Sequence, residues 1–518
     1  MTEGNGEVRE LPKGWIWAEL EKLCSKITDG SHAPPQKQEH GLPMLSAKNI
    51  QNDSINFEGI RYITEAEFEK ECARANIEEN DVLLTIVGTI GRTTIVRHGL
   101  PKFTLQRSVA LLKPVLTNSK YLSFSFRHLH FQKLLMQKAK GTAQKGVYLK
   151  TLQNLQIPLA PLFEQNRIVE KIEELFSDVD QGVESLKTAQ KQLKVYRQAV
   201  LKWAFEGKLT EAWRSQQPTL KTGEALLAQI KAERENRYQQ QLAEWEATVR
   251  EWEAIGKVGK KPTKPQKPKE LSPITKNELS KLSHLPGQWY WVKIGNLTTG
   301  VEYGSAAKSK KEGKVAVLRM GNIQNCVFDW ADLVFSDDSD EVEKYLLKKG
   351  DVLFNRTNSP ELVGKTAIYQ GERPAIFAGY LIRVNQIDEL VLSKYLNYFL
   401  NSLTSKKHGN DVKTDGVNQS NINGDKLANY PFPYTSLDEQ DQIVQEIESR
   451  LSICDQLEAT IIENLQKAEA LRQSILKQAF EGKLVPQDPN DEPAEKLLER
   501  IRAERQEKEP QKTSKPLR

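Results

Sequence analysis

Asn358–Thr366 (NSPELVGKT) comes nearest in this chain to a chemical motif, one residue short of the phosphate-gripping GxxxxGK[ST] loop. Ser359 stands where the first glycine belongs, and the β-like TAIY that follows supplies no helix N-terminus to hold an anion. Pro360-Glu361 with Lys365 outlines a nuclease carboxylate–lysine pair, yet no second acidic metal ligand lies at matching spacing. Neither NPP[YF] nor DPPY, the tetrapeptides of amino-methyl transfer, occurs, and there is no GxG-strand signature for that reaction's cofactor. The seven histidines are dispersed, and Cys24, Cys72, Cys326 and Cys454 form no CxxC pair. Buried free thiols are therefore expected, rather than a metal site or a disulfide framework. These residue types favour binding over catalysis, with no catalytic and no metal-ligating residue expected.

Binding chemistry is better represented. Phe126–Asn154 sets Arg127, Lys133, Lys138, Lys140, Lys145 and Lys150 around a Gly-flanked polar turn, Gly141-Thr142-Ala143-Gln144-Lys145-Gly146. Further along, Gly416-Val417-Asn418-Gln419-Ser420-Asn421 aligns with that turn, Gln419 falling on Gln144. Glutamine and asparagine can bond an adenine edge bidentately, arginine and lysine a guanine, and backbone amides a phosphate. An ordinary solvated loop is the competing reading. A second candidate is the turn before a G[RK]T strand: Thr89, Arg92 and Thr93 in one place, Asn355, Arg356, Thr357, Asn358 and Lys365 in the other. Turn formation through asparagine side chains is the alternative there. A third is Gln106-Arg107, with Tyr380 and Arg383 in the corresponding region. His128 and His130 with Arg127 are expected on a basic surface. Trp15, Trp17, Trp289 and Trp291, in LPKGWIW and LPGQWYW, are expected to anchor the core or domain contacts.

What would position these residues is a chain that says nearly the same thing twice. Leu162–Leu209 and Leu437–Leu484 align without a gap and share 20 identities over 48 positions. Weaker echoes precede each copy in the same order: LPxxW, NIQN at Asn49 and at Asn322, then NDVLL and GDVLF, then GRTTIV and GKTAIY. In the strong repeats apolar residues recur every three or four positions, Ile168, Ile172, Leu175 and Val179 in one and Ile443, Ile447, Leu451 and Cys454 in the other. That spacing predicts two long helices, each with one apolar stripe to cover, and antiparallel pairing of the two is the simplest cover. About 43 residues make a rod of about 65 Å. Ser436–Glu439 is a capping-box pattern, Pro161 marks the same boundary in the first copy, and Gly207 and Gly482 stand where a helix can exit through a left-handed residue. The segments before each rod mix short β-rich runs with helical stretches, which predicts an α+β (mixed α/β) module twice. The boundaries expected are 11–160 and 285–436 for the globular modules and 161–209 and 437–484 for the helical spacers. Residues 210–284 would be a coiled arm followed by an extended, solvated Lys/Pro linker, and 485–518 a C-terminal helical tail echoing the arm.

Composition narrows the class. At 518 residues with 38% hydrophobic and 28% charged residues the chain reads as several soluble domains with solvated helical faces. No apolar run is long enough for a bilayer, and the polar MTEGNGEVRE start lacks a secretory signature, so a cytoplasmic location without membrane contact is expected. The net charge of +5 is unevenly spread. Residues 11–160 carry 20 Lys and Arg against 13 Asp and Glu, while 285–436 carry 18 against 17. The second module must therefore rely on local cations if it binds phosphate.

The repeated order LPxxW, NIQN, GDVLF, GKTAI, EQxxIV and AFEGKL resembles the DNA-specificity subunits of Type I restriction–modification enzymes, over roughly 11–210 and 285–485. The resemblance implies two target-recognition domains, each reading half of a split, asymmetric site on double-stranded DNA, and paired helices that act as spacer and ruler. It implies two methyltransferase (modification) subunits and restriction/translocase subunits as partners. By the same resemblance S-adenosylmethionine, ATP and Mg belong to those partners, with no cofactor in this chain. The arm at 210–284 departs from that pattern in its length. Two other classes stay open: a coiled-coil adaptor that never reads sequence, and a methyltransferase or nuclease in its own right.

Overall fold

Two stripes of apolar residues set the architecture. The principal helices are α1 (Ser119–Arg127), α2 (Leu162–Phe205), α3 (Gly223–Ala254), α4 (Ser393–Leu400), α5 (Leu437–Phe480) and α6 (Ala494–Lys508). The chain divides into two units, Met1–Thr188 with Ile461–Arg518 and Ala189–Thr460. The structure, a computed structural model, describes residues 10–508 apart from 142–143, 218–219, 222, 266 and 268–269. In the first unit Ile168, Ile172 and Phe176 of α2 pack on Ile475, Leu476 and Ala479 of α5, and Asp180 pairs with Arg472. In the second, Val200, Leu201 and Phe205 of α2 pack with Ile443 and Ile447 of α5, and Arg197 lies 2.7 Å from Asp455 and 3.0 Å from Glu458. Rising numbers on α2 meet falling numbers on α5, so the helices run antiparallel, as their periodicity requires. Both end alike. Gly207 and Gly482 take φ of +71° and +66°, and the next amide, Lys208 or Lys483, donates back to Trp203 or Gln478.

Each unit holds one globular module, and the two share a frame. In the first, a four-stranded antiparallel sheet runs β1 (Cys24–Asp29), β4 (Val109–Pro114), β2 (Val82–Thr85), β3 (Thr93–Ile95). In the second the same order reappears as β5 (Thr298–Tyr303), β8 (Leu381–Gln386), β6 (Val352–Asn355), β7 (Thr366–Ile368). Smaller sheets match too: 61–63, 42–45 and 104–105 against 334–336, 315–318 and 375–377, each with one parallel pair. The NIQN echo proves structural. Buried Asn49 and Asn322 each close a one-turn helix, accepting from Ser46 N at 3.0 Å and Arg319 N at 2.8 Å.

The strongest echoes meet in one latch per unit. Trp15 donates its indole N–H to Glu164 (3.0 Å), and Trp289 donates to Glu439 (2.8 Å). The neighbouring glutamines, Gln165 and Gln440, accept the amides of Asn118 and Leu392 and donate to the carbonyls of Ala160 and Leu390. A Cβ on Gly482 would stand 2.3 Å from Pro12, and one on Gly207 2.4 Å from Pro286. LPxxW, EQ and AFEGKL are thus three sides of one joint between module and rods. Ser436 takes the Glu439 amide at 3.4 Å, but the expected capping box is only half made. The Glu439 carboxylate is drawn inward instead, accepting from Trp289, Thr435, Thr210 and Arg214. Trp17 is 38% exposed and is no core anchor, whereas Trp291 packs half-buried against the second unit's core and donates to the Ser283 carbonyl.

The trailing helices are not free. Ala494, Leu497 and Ile501 of α6 are fully buried in the core of the first module, beside Leu20, Leu23 and Cys24. Leu226 and Ile230 of α3 sit equivalently in the second unit's core with Trp289, Val292 and Leu297. Only those first turns of α3 are buried; no described residue from Lys231 to Ala254 is. Among the described residues the rest of the arm is covered by residues of the Lys/Pro tract, folded back along it. Indole N–H groups of Trp245 and Trp252 reach the carbonyls of Pro262 (3.0 Å) and Gly259 (3.3 Å). Aromatic side chains at heptad spacing hold a tract whose composition alone reads as an untethered linker.

Candidate nucleic-acid interface

Three candidate segments distant in sequence converge at one edge of each module. In the first, the turn after β2 is clamped from both sides. Ile86 N donates to Ser108 O (2.9 Å), Val147 N to Ile86 O (2.8 Å) and Gly88 N to Lys145 O (3.3 Å). Lys140 and Gly146 exchange backbone bonds of 2.9 Å. Arg107 N donates to Ser31 O (2.9 Å), fixing the 106–108 turn beside it. Gly91, at φ +94°, lies against Gln132, where a Cβ would fall 2.4 Å from the side-chain oxygen.

The second module makes the same convergence with more strand. Thr357-Asn358 pairs antiparallel with Ser420-Asn421, which pairs with Thr414-Asp415. Arg356 N donates to Tyr380 O (3.0 Å), Ile422 N donates to Arg356 O (2.9 Å), and Asn421 Nδ2 bonds Thr357 Oγ1 (2.7 Å). The Arg356 guanidinium lies 4.8 Å over the Tyr303 ring and its Nε has no hydrogen-bond partner. The two modules thus agree in frame and differ in these loops: a three-stranded ribbon in one, isolated bridges in the other.

The side chains divide clearly. Thr89, Arg107, Lys140, Gln144, Lys145, Tyr380 and Gln419 are exposed, while Arg92, Gln106, Arg356, Thr357, Asn358, Lys365 and Asn421 are half-buried at the same edge. Thr142 lies outside the described residues. Five expectations need correction. Thr93 is buried, its hydroxyl 3.2 Å from that of Ser123; Asn355 is fully buried on the sheet; Ser420 is buried and bonded to Asp415. Arg127 leaves the surface because Phe124 and Phe176 stack on its guanidinium and Asp53 pairs with it, and the adjacent His128 is buried too. These groups hold the loops or the core and present nothing to a base edge. Arg383 is likewise engaged by Glu302 and Asp351.

Three further residues share the edge. Tyr148 follows the first loop and is 63% exposed. Lys413 bonds Pro360 O at 3.2 Å, and Lys426 bonds Thr414 Oγ1 at 2.5 Å, so the less basic module does place cations at its loops. The duplication itself points to Lys413, which stands at the offset of Lys138. Behind the ribbon, burial against Tyr430 pushes the His408 imidazole below its usual range, which keeps it neutral. Near Asn358–Thr366 a turn leads straight into strand β7, so no helix N-terminus faces that loop.

Comparison with known proteins agrees with this duplicated plan. Residues 12–194 and 288–467 each match the Type I restriction modification DNA specificity domain. The chain is 24% identical to the Type I restriction enzyme EcoKI specificity subunit of Escherichia coli K12, over 96% of both chains. It is 22% identical to the StySPI specificity subunit of Salmonella potsdam, over 98% of both. With the EcoBI specificity subunit of Escherichia coli the identity is 31%, over 43% of this chain and 49% of that relative, so that match spans about half its length. A solved chain described under complex assembly and conformational transition of the type I R-M system shares the fold, with TM-score 0.59, 16% identity and coverage of 92% of this chain and all of the other. The chain therefore belongs to the Type I restriction modification DNA specificity family and carries the family's domain twice.

Proposed function

We propose that this chain is the sequence-reading, non-catalytic subunit of a Type I restriction–modification complex and binds a bipartite, asymmetric site on double-stranded DNA in the cytoplasm. One observation carries the reading: two modules with the same strand order differ in the loops gathered at one edge, as two readers of different half-sites would. Gln144, Lys145, Lys140, Arg107, Thr89 and Arg92 are the contacts proposed for one half-site, with Gln106 at its margin. Gln419, Asn421, Arg356, Thr357, Asn358, Lys365 and Tyr380 are those for the other. Amide and guanidinium groups on strands and tight turns can present paired donors and acceptors in a major groove. Methyl transfer from S-adenosylmethionine and ATP- and Mg-dependent restriction are assigned to partner subunits. In the second unit Leu193, Tyr196, Ile453 and Leu457 line an open apolar groove on the helix pair, and we assign it to a modification subunit. Exchanging residues 285–436 for a module of different specificity tests the reading in a host carrying the modification subunit. Methylome sequencing should show one half of the methylated motif replaced and the other kept. Both halves changing, or no adenine-methylated split motif, would refute it.

A further inference from the structure

The arm that extends from the second unit pairs a helix with a lysine-rich strap folded back along it. Tyr238, Trp245 and Trp252 recur every seven residues on α3, about 10.5 Å apart along the axis. The tract repeats Lys-Pro every three residues, at Lys261, Lys264 and Lys267, and three residues of polyproline geometry advance about 9.3 Å. That step is kept once, from Lys264 on Trp245 to Lys267 on Tyr238. Lys264 lies 5.6 Å from Trp245 and Lys267 5.9 Å from Tyr238, while Trp252 takes Lys257 (5.9 Å) from the left-handed turn that ends α3. The strap is closed at its base by Lys267–Glu235 (2.8 Å) and Lys231–Glu270 (3.5 Å). Between Gly256 and Lys267 there is no acidic residue, and Lys257, Lys260, Lys261, Lys264 and Lys267 are all exposed. Lys260 and Lys261 make no ion pair among the described residues. The helix side is opposite in sign, with Glu244, Glu246, Glu251 and Glu253 exposed.

We propose that this strap is a sequence-independent clamp for the phosphate backbone of duplex DNA outside the bases that the modules read. The inference rests on the reading of the chain as DNA-binding. A solvated charge run would cost ordering entropy on binding, but here the indoles already hold the strap backbone, with the lysines solvent-exposed. An acid-free row of lysines suits a polyanion. A protein partner would need buried aromatic anchors, and the two indoles of the arm are turned onto the strap. From Lys231 to Ala254 the helix extends about 36 Å, roughly ten base pairs of duplex.

The test measures binding of the full chain to a 40-base-pair random-sequence duplex across a KCl series. Lys257, Lys260, Lys261 and Lys264 are changed together to glutamine, and in a second variant to arginine. The glutamine variant should lower the slope of log affinity against log salt by about 2–4, near 0.9 per lost phosphate contact, and weaken binding at least tenfold at 100 mM. Arginine should restore both. An unchanged slope overturns the proposal, even if association with a partner subunit falls instead. So does a loss that arginine fails to restore, which would mark a structural role, or a wild-type chain that binds no duplex. Failure of the sequence-reading function shows separately, as a wild-type chain with equal affinity for every duplex in a selection while the lysine slope stands.

Discussion

Glu164 and Glu439 hold the same place in two copies of one latch, and only Glu439 has an arginine in direct contact. Glu439 is fully buried and bonds Arg214 at 2.8 Å, with Arg214 itself 9% exposed and stacked on Trp289. Glu164 is equally buried, yet its Oε1 has no partner, and burial raises its pKa above the usual carboxylate value. Glu439→Gln strands a buried guanidinium and is expected to cost about 3–5 kcal/mol by urea denaturation. Glu164→Gln should be close to neutral at pH 7, because burial disfavours the carboxylate and no direct salt bridge is lost, the nearby Arg167 being paired with Asp491. The pH dependence has a definite sign. The folded state holds the Glu164 proton more tightly than the unfolded chain, so its contribution is complete below about pH 4.5 and is lost as pH rises through the raised pKa. Stability between pH 4.5 and 7.5 should therefore fall less steeply in Glu164→Gln than in wild type; parallel curves would contradict the assignment. The sequence could signal that Trp15 and Trp289 were anchors. It could not show what they anchor to, because the partner carboxylates lie about 150 residues away.

At the scale of elements, the long helices were the most legible part, since a three-four apolar period over 44 residues admits one reading. The recognition loops were legible as candidates but not as a set. Nothing local to Thr89, Gln106 or Gln144 states that β2 and the turns beside it bring them to one edge. Thr93 and Asn355 were misjudged because a polar residue at the end of a strand looks the same from sequence whether it caps the sheet or faces solvent. The Lys/Pro tract misled for the opposite reason: its composition favours extended, solvated chain, and only the heptad of rings on α3 gives it a bed. If the helix pair sets the distance between readers, deleting four residues, about one turn, from the exposed middle of α2 should change the spacer length tolerated. Each half-site should stay as it was. An unchanged spacer preference in a methylation assay would count against the ruler.

For the molecule as a whole, each unit draws on both long helices. The first module uses the start of α2, the end of α5 and the buried face of α6; the second uses the start of α5, the end of α2 and the first turns of α3. Removing the chain from Ala494 onward strips Leu497, Leu498 and Ile501 from the first module, a loss on the order of 5 kcal/mol. Cys24 reports it directly. In the intact chain burial pushes its thiol up to about 12. The shortened chain should let an alkylating reagent modify Cys24 rapidly while the second unit keeps its unfolding midpoint. A protected Cys24 in that variant would show that α6 is dispensable.

The position of α6 also dictates an order of events at the ribosome. The helix that seals the strand holding Cys24 emerges some 470 residues after it. At 5–20 residues per second, that wait is about 25–90 s. Meanwhile α3 emerges before the module it seals, so the later-made reader is finished first. The earlier one spends most of its synthesis with an unsealed apolar wall, and there a chaperone, or premature release, would decide its fate.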